Sequence, residues 1–88
     1  MTPFMLKISS PEGDVFHGEI TRLCLRGTEG ELAVMAGHIP FVTAVRAGEC
    51  RMEMADGTIR RGRTDGGMLT VGKESTVLLS GSFRWTEE

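Results

Sequence analysis

Apolar and polar residues alternate along most of this chain, and glycine or proline breaks the alternation every few residues. Phe4, Leu6 and Ile8 alternate with Met5, Lys7 and Ser9, the period of a half-buried strand, and Pro11-Glu12-Gly13 supplies the turn after it. Val15-Phe16-His17 opens a second strand, residues 20–26 read as a third and 32–35 as a short fourth. Residues 41–47 and 49–54 follow, separated by Gly48. Asp56-Gly57 tolerates the positive φ of a tight turn and marks a hairpin between Met54 and Ile59. Residues 68–71 and 75–79 form another hairpin across Gly72-Lys73-Glu74. No stretch free of glycine and proline exceeds eight residues, whereas an average helix needs about 11–12. The pattern predicts an all-β fold of two packed antiparallel sheets, a sandwich or flattened barrel.

With 88 residues there is room for one domain, residues 1–88, and a chain of this size buries only about 60% of its unfolded surface. A formal charge of −2 gives no broad attraction to nucleic acid or anionic lipid. The start, Met1-Thr2-Pro3-Phe4-Met5, is neither a basic region leading into a long apolar run nor an Arg-rich transit peptide. No segment approaches the ~20 apolar residues that cross a bilayer, so direct insertion is not expected and membrane association would come through another protein. Alternation puts Cys24 on the polar side of its strand with Arg22 and Arg26, and Cys50 on the apolar side with Met52 and Met54. That is a poor disulfide pair, and both read as reduced thiols of a cytoplasmic protein.

Candidate chemistry is sparse. Gly67 to Lys73 has the spacing of a phosphate-binding loop, but Glu74 stands where Ser or Thr would meet magnesium, and strand formers fill the interior. His17, Cys24, His38 and Cys50 are scattered without metal-ligand spacing, and no nucleophile motif accompanies either histidine. No catalytic residue, metal or cofactor is expected. Arg60-Arg61-Gly62-Arg63-Thr64-Asp65 has little apolar content and no interleaved aromatic; it reads as a charge-protected edge strand or a solvated bend rather than a nucleic-acid patch.

The segment from Gly27 to Pro40 stands apart. Gly27, Gly30 and Gly37 permit turns, Pro40 biases Ile39 toward an extended conformation, and Glu29, Glu31 and His38 surround a short apolar core of Leu32, Val34 and Met35. A folded loop presenting these polar groups can dock but lacks the parts to catalyse. From the residues alone the chain is a small β-sandwich that binds something. A stand-alone adaptor or ligand-binding module and a small nucleotide-using enzyme are the other readings.

Pro11-Glu12-Gly13, Val15-Phe16-His17-Gly18-Glu19, Gly27-Thr28-Glu29-Gly30-Glu31-Leu32, Gly37-His38 with Pro40, Gly48, Gly66-Gly67-Met68-Leu69-Thr70-Val71 and Thr76-Val77-Leu78-Leu79 carry a resemblance in order and spacing. The chain resembles the N-terminal β-sandwich of the ε subunits of F-type ATP synthases. It departs from that pattern at Ala33, Ala36, Ile39 and Phe41 and in the arginine-rich stretch before Gly66.

The resemblance implies a ten-stranded sandwich in the rotor, binding the γ subunit on one side and resting on the polar loops of the membrane-embedded c-ring. It maps a ring-facing loop onto Glu29, Gly30, Glu31 and His38, and a γ-facing surface onto Ser10 and Thr43. It implies a non-catalytic part in coupling ion translocation to ATP synthesis, at the cytoplasmic face of a bacterial plasma membrane. Family members commonly continue into a two-helix domain that restrains hydrolysis or binds ATP. A chain ending at Glu88 leads to the expectation that this domain is absent, with no helix-driven inhibition and no ATP binding.

Overall fold

The computed structural model describes residues 2–86; Met1, Glu87 and Glu88, the ends of the reading above, lie outside the described residues. Eight strands run in the order β1 (Phe4–Ser10), β2 (Gly13–Ile20), β3 (Arg22–Gly27), β4 (Gly30–Val34), β5 (Phe41–Glu53), β6 (Ile59–Val71), β7 (Ser75–Ser80) and β8 (Phe83–Trp85). Hydrogen bonds connect them along the path β2-β1-β7-β6-β5-β3-β4, with β8 joined to β6. The all-β sandwich is as expected, with two differences. The strands number eight rather than ten, and β1 pairs with β7 in parallel, Leu6 beside Thr76 and Ile8 beside Leu78, so the sheets are not purely antiparallel.

The lower strand count follows from the two long strands. β5 and β6 are each 13 residues long and stay in one antiparallel register from Phe41–Val71 to Glu53–Ile59. Their inward side nevertheless changes part-way. Val45 and Cys50 are both buried although they lie an odd number of residues apart, and so are Thr64 and Leu69. A flat strand cannot bury both; the ribbon bends at Gly48 and at Gly66-Gly67, and each long strand serves both layers of the sandwich. Gly66 sits at φ +111°, which side-chain-bearing residues rarely adopt, and a Cβ on Gly67 would overlap the Leu79 carbonyl oxygen of β7.

The core between the layers contains Leu6, Ile8, Ile20, Leu23, Leu25, Val34, Val45, Cys50, Met52, Leu69, Val71 and Leu78. The arginine-rich stretch is neither an edge nor a bend. It forms the first half of β6, held by β5 on one side and by β8 through Gly62–Trp85, Arg63–Arg84 and Thr64–Phe83. Its inward positions are Gly62 and Thr64, which explains its polar appearance. The Phe83 ring occupies the space a Gly62 side chain would take, and the buried Thr64 hydroxyl bonds Ser80 and accepts the Gly66 amide. Phe83 and Trp85 therefore cap the sandwich. Their rings meet edge-on at 5.2 Å, Phe16 meets Trp85 at 6.1 Å, and the Arg60 guanidinium lies 3.8 Å above the indole. The phosphate-loop look-alike is extended strand through Val71, with no helix after it among the described residues.

Candidate docking surface

The Gly27–Pro40 segment is more ordered than a loop. Gly27 pairs with Gly30 across the two-residue turn Thr28-Glu29, and β4 zips back along β3 through Arg26–Glu31, Leu25–Leu32, Cys24–Ala33 and Leu23–Val34. Gly30 at φ +132° lets the chain reverse there. Glu29 is exposed at the tip, and Glu31 lies one step into the strand with its carboxylate pointing outward. Glu29, Gly30 and Glu31 border an open depression of about 370 Å³, whose far wall is Phe41, Val42 and Thr43 of β5.

His38 belongs to the next turn. Its amide reaches the Met35 carbonyl at 3.3 Å, Nδ1 lies 2.9 Å from the Ile39 carbonyl oxygen, and the ring leans on Phe41 at 4.8 Å. Phe41 thus links the histidine turn to the hairpin depression. Ile39 beside it is 79% exposed.

A second feature emerges when neighbouring strands are set side by side. On the outer face of the β1-β7-β6-β5 layer, register lines up Ser9, Leu79, Met68 and Ala44 in one row and Lys7, Val77, Thr70 and Val42 in the next. Val42, Met68 and Leu79 are 63%, 43% and 54% exposed. Adjacent apolar side chains in solvent on a paired sheet form a patch of the kind that interaction surfaces use. Ser10 and Thr43 adjoin the two ends of the first row. The Ser10 hydroxyl is engaged in its own turn with Gly13, and Thr43 is half-buried with its hydroxyl toward the Ala44 carbonyl. The signal was available in the sequence, because Val42, Ala44, Met68 and Leu79 take the off-phase positions of their strands.

The opposite outer face, on β4-β3-β5-β6, is charged. Arg51 meets Glu31 at 3.1 Å and Glu49 at 4.0 Å, Arg61 meets Glu49 at 3.9 Å, and Arg22 meets Glu53 at 3.5 Å. Cys24 is half-buried on this side, and Cys50 lies on the core side, where burial pushes its thiol up to about 12. Among the described residues no group of three or more His, Cys, Asp or Glu side chains is placed to hold a metal ion.

The β-sandwich domain family of the ATP synthase delta/epsilon chain matches residues 3–86. The chain belongs to that family. Among relatives of this epsilon-type domain, the sodium-ion-specific ATP synthase epsilon chain of Acetobacterium woodii is 39% identical over 85 residues, covering 97% of this chain and 64% of the relative. The epsilon chain of Caldicellulosiruptor saccharolyticus is 34% identical over 88 residues, covering all of this chain and 64% of the relative. The epsilon-type chain therefore spans somewhat under two thirds of the length of these relatives. In the Euglena gracilis mitochondrial ATP synthase, solved as OSCP/F1/c-ring, one chain superposes with a TM-score of 0.92 at 20% identity, over 100% of this chain and 56% of that one. A chain of the Tetrahymena thermophila central stalk/c-ring structure gives 0.74 at 11% identity, over 91% and 64%. At those identities the likeness is one of fold.

Proposed function

We propose that this epsilon-type chain is a non-catalytic rotor subunit of an F-type ATP synthase. In this reading it binds the γ subunit, docks on the c-ring and couples ion translocation to ATP synthesis, as a peripheral component on the cytoplasmic face of a bacterial plasma membrane. The observation that carries the reading is the uncovered apolar face of Val42, Ala44, Met68 and Leu79, which borders the acidic hairpin through Val42. A connector between stalk and ring needs two adjacent surfaces of different chemistry on a body that does not yield, and a sandwich bent across its own layers, with no helix among the described residues, provides that.

The apolar face is assigned to γ, with Ser10 and Thr43 at its margins. Burial there contributes roughly 25 cal/mol per Å² before association costs are subtracted. Glu29, Gly30, Glu31 and His38 are assigned to the ring. Exposed ion pairs are worth only ~0–1 kcal/mol, so the hairpin sets orientation while the γ face carries the affinity.

Met68→Glu tests the assignment. Because Met68 projects outward, the isolated domain should keep its stability within about 0.5 kcal/mol, while γ binding measured by titration should weaken about thirtyfold or more, as expected for a central apolar anchor. Unchanged γ affinity in that variant would remove the assignment.

A further inference from the structure

The two hairpin acids differ in what already holds them. Glu31 Oε1 accepts a hydrogen bond from Arg51 Nη2 at 3.1 Å. Arg51 stands on β5, opposite Cys24 of β3, so its side chain reaches across β3 to the outer strand β4. Arg26 is directly opposite Glu31 in the ladder yet makes no ion pair with it among the described residues. Arg51 is anchored in turn near Glu49, whose other oxygen faces Arg61, and the Cys24 thiol followed by Glu31 holds the guanidinium above its usual range. Glu29, the residue before Gly30, has no ion pair among the described residues and is exposed in the turn.

Resting on the docking reading above, we propose that the two acids divide the task. Arg51 is a positioning residue that clamps β4 to the sandwich through Glu31, and Glu29 is the acid that meets a basic side chain on the polar loops of the ring. β4 is an edge strand, bonded on one side only, so without the clamp its tip is held by the β3 ladder alone. A carboxylate already paired at 3.1 Å gains little from a second cation, whereas an unpaired one at a turn gains its whole Coulomb attraction on contact. The sites are thus inequivalent, and reversing both acids together conceals it.

The test uses assembled enzyme in vesicles, reading ions pumped per ATP hydrolysed and the affinity of the F1 sector for vesicles holding the membrane sector. Glu29→Lys should lower both about tenfold. Glu31→Gln and Arg51→Gln should each lower affinity up to about fivefold, and the double variant no further, because both remove one clamp. Arg51→Lys should recover most of the loss. Losses at 31 and 51 that multiply in the double variant, or Glu29→Lys behaving as the parent while Glu31→Gln does not, would overturn the division while leaving ring docking intact. Parental behaviour in every variant would overturn both this division and the docking reading. Amide exchange at residues 30–32 gives a readout independent of turnover: it should rise in Arg51→Gln and stay unchanged in Glu29→Lys, and no rise in Arg51→Gln would overturn the clamp.

Discussion

The two outer faces of the sandwich are made in part by the same two strands, and their chemistry is opposite. Along β5, Val42 and Ala44 point out of one layer, while Glu49, Arg51 and Glu53 point out of the other. Along β6 the partners are Met68 and Thr70 against Arg61 and Arg63. The bend at Gly48 and Gly66-Gly67 makes this possible, because it exchanges which side of each strand meets the core. One face leaves apolar side chains in solvent; the other is finished by its own ion pairs. Surface chemistry here is decided by the phase of a strand relative to its bend, and the residue composition of the strand as a whole does not reveal it.

The sharpest way to break this contrast is to stiffen the bend. Gly67→Ala places a methyl group against the Leu79 carbonyl, a backbone atom that cannot step aside. The β6–β7 pairing would have to part, at a cost of about 3 kcal/mol out of a net stability commonly about 5–15 kcal/mol. Urea unfolding should show the loss, and a midpoint equal to the parent's would mean that the bend does not rely on that close approach.

Thiol chemistry sharpens the contrast between the two sides of the charged sheet. Cys24 should react with an alkylating reagent in the folded protein, whereas Cys50, buried and raised to about 12, should react only on unfolding, roughly a thousandfold more slowly or beyond. Equal rates in mass-resolved labelling would contradict the assignment of the two sulfurs to opposite sides. The smallest effect belongs to the finished face. Arg22→Gln breaks the 3.5 Å pair with Glu53, and its cost should stay below ~1 kcal/mol and shrink in about 1 M salt. A loss of several kcal/mol would mean that the ion pairs hold the layers together.

Much of this was legible from the chain, and the gaps have physical causes. The alternation at Phe4, Leu6 and Ile8 and the Asp56-Gly57 turn are local signals, and β1 and the β5–β6 hairpin appear where those signals place them. The stretch around Gly62 and Thr64 misleads because its inward partners, Phe83 and Ser80, come from much later in the chain. The pattern divides residues 41–54 at Gly48 because glycine looks like a terminator, whereas the β5–β6 ladder keeps one register on both sides of it. The hairpin acids were recognised as a pair, but their inequivalence depends on Arg51, 20 residues away from Glu31, and no local rule connects them. Ser10 and Thr43, which family likeness assigns to a γ-facing surface, fall at the margins of an apolar row whose members sit at off-phase positions and are brought side by side by register.

The parallel pairing of β1 with β7 also bears on how the chain is made. Leu6 and Ile8 are made about seventy residues ahead of their ladder neighbours Thr76 and Leu78. Until β7 has been translated, the side of β1 that faces it has no partner, and the pairing closes a loop of about seventy residues. The β1–β2 hairpin is therefore expected to wait for a late partner, with β1 the segment that a chaperone would shield in the interval.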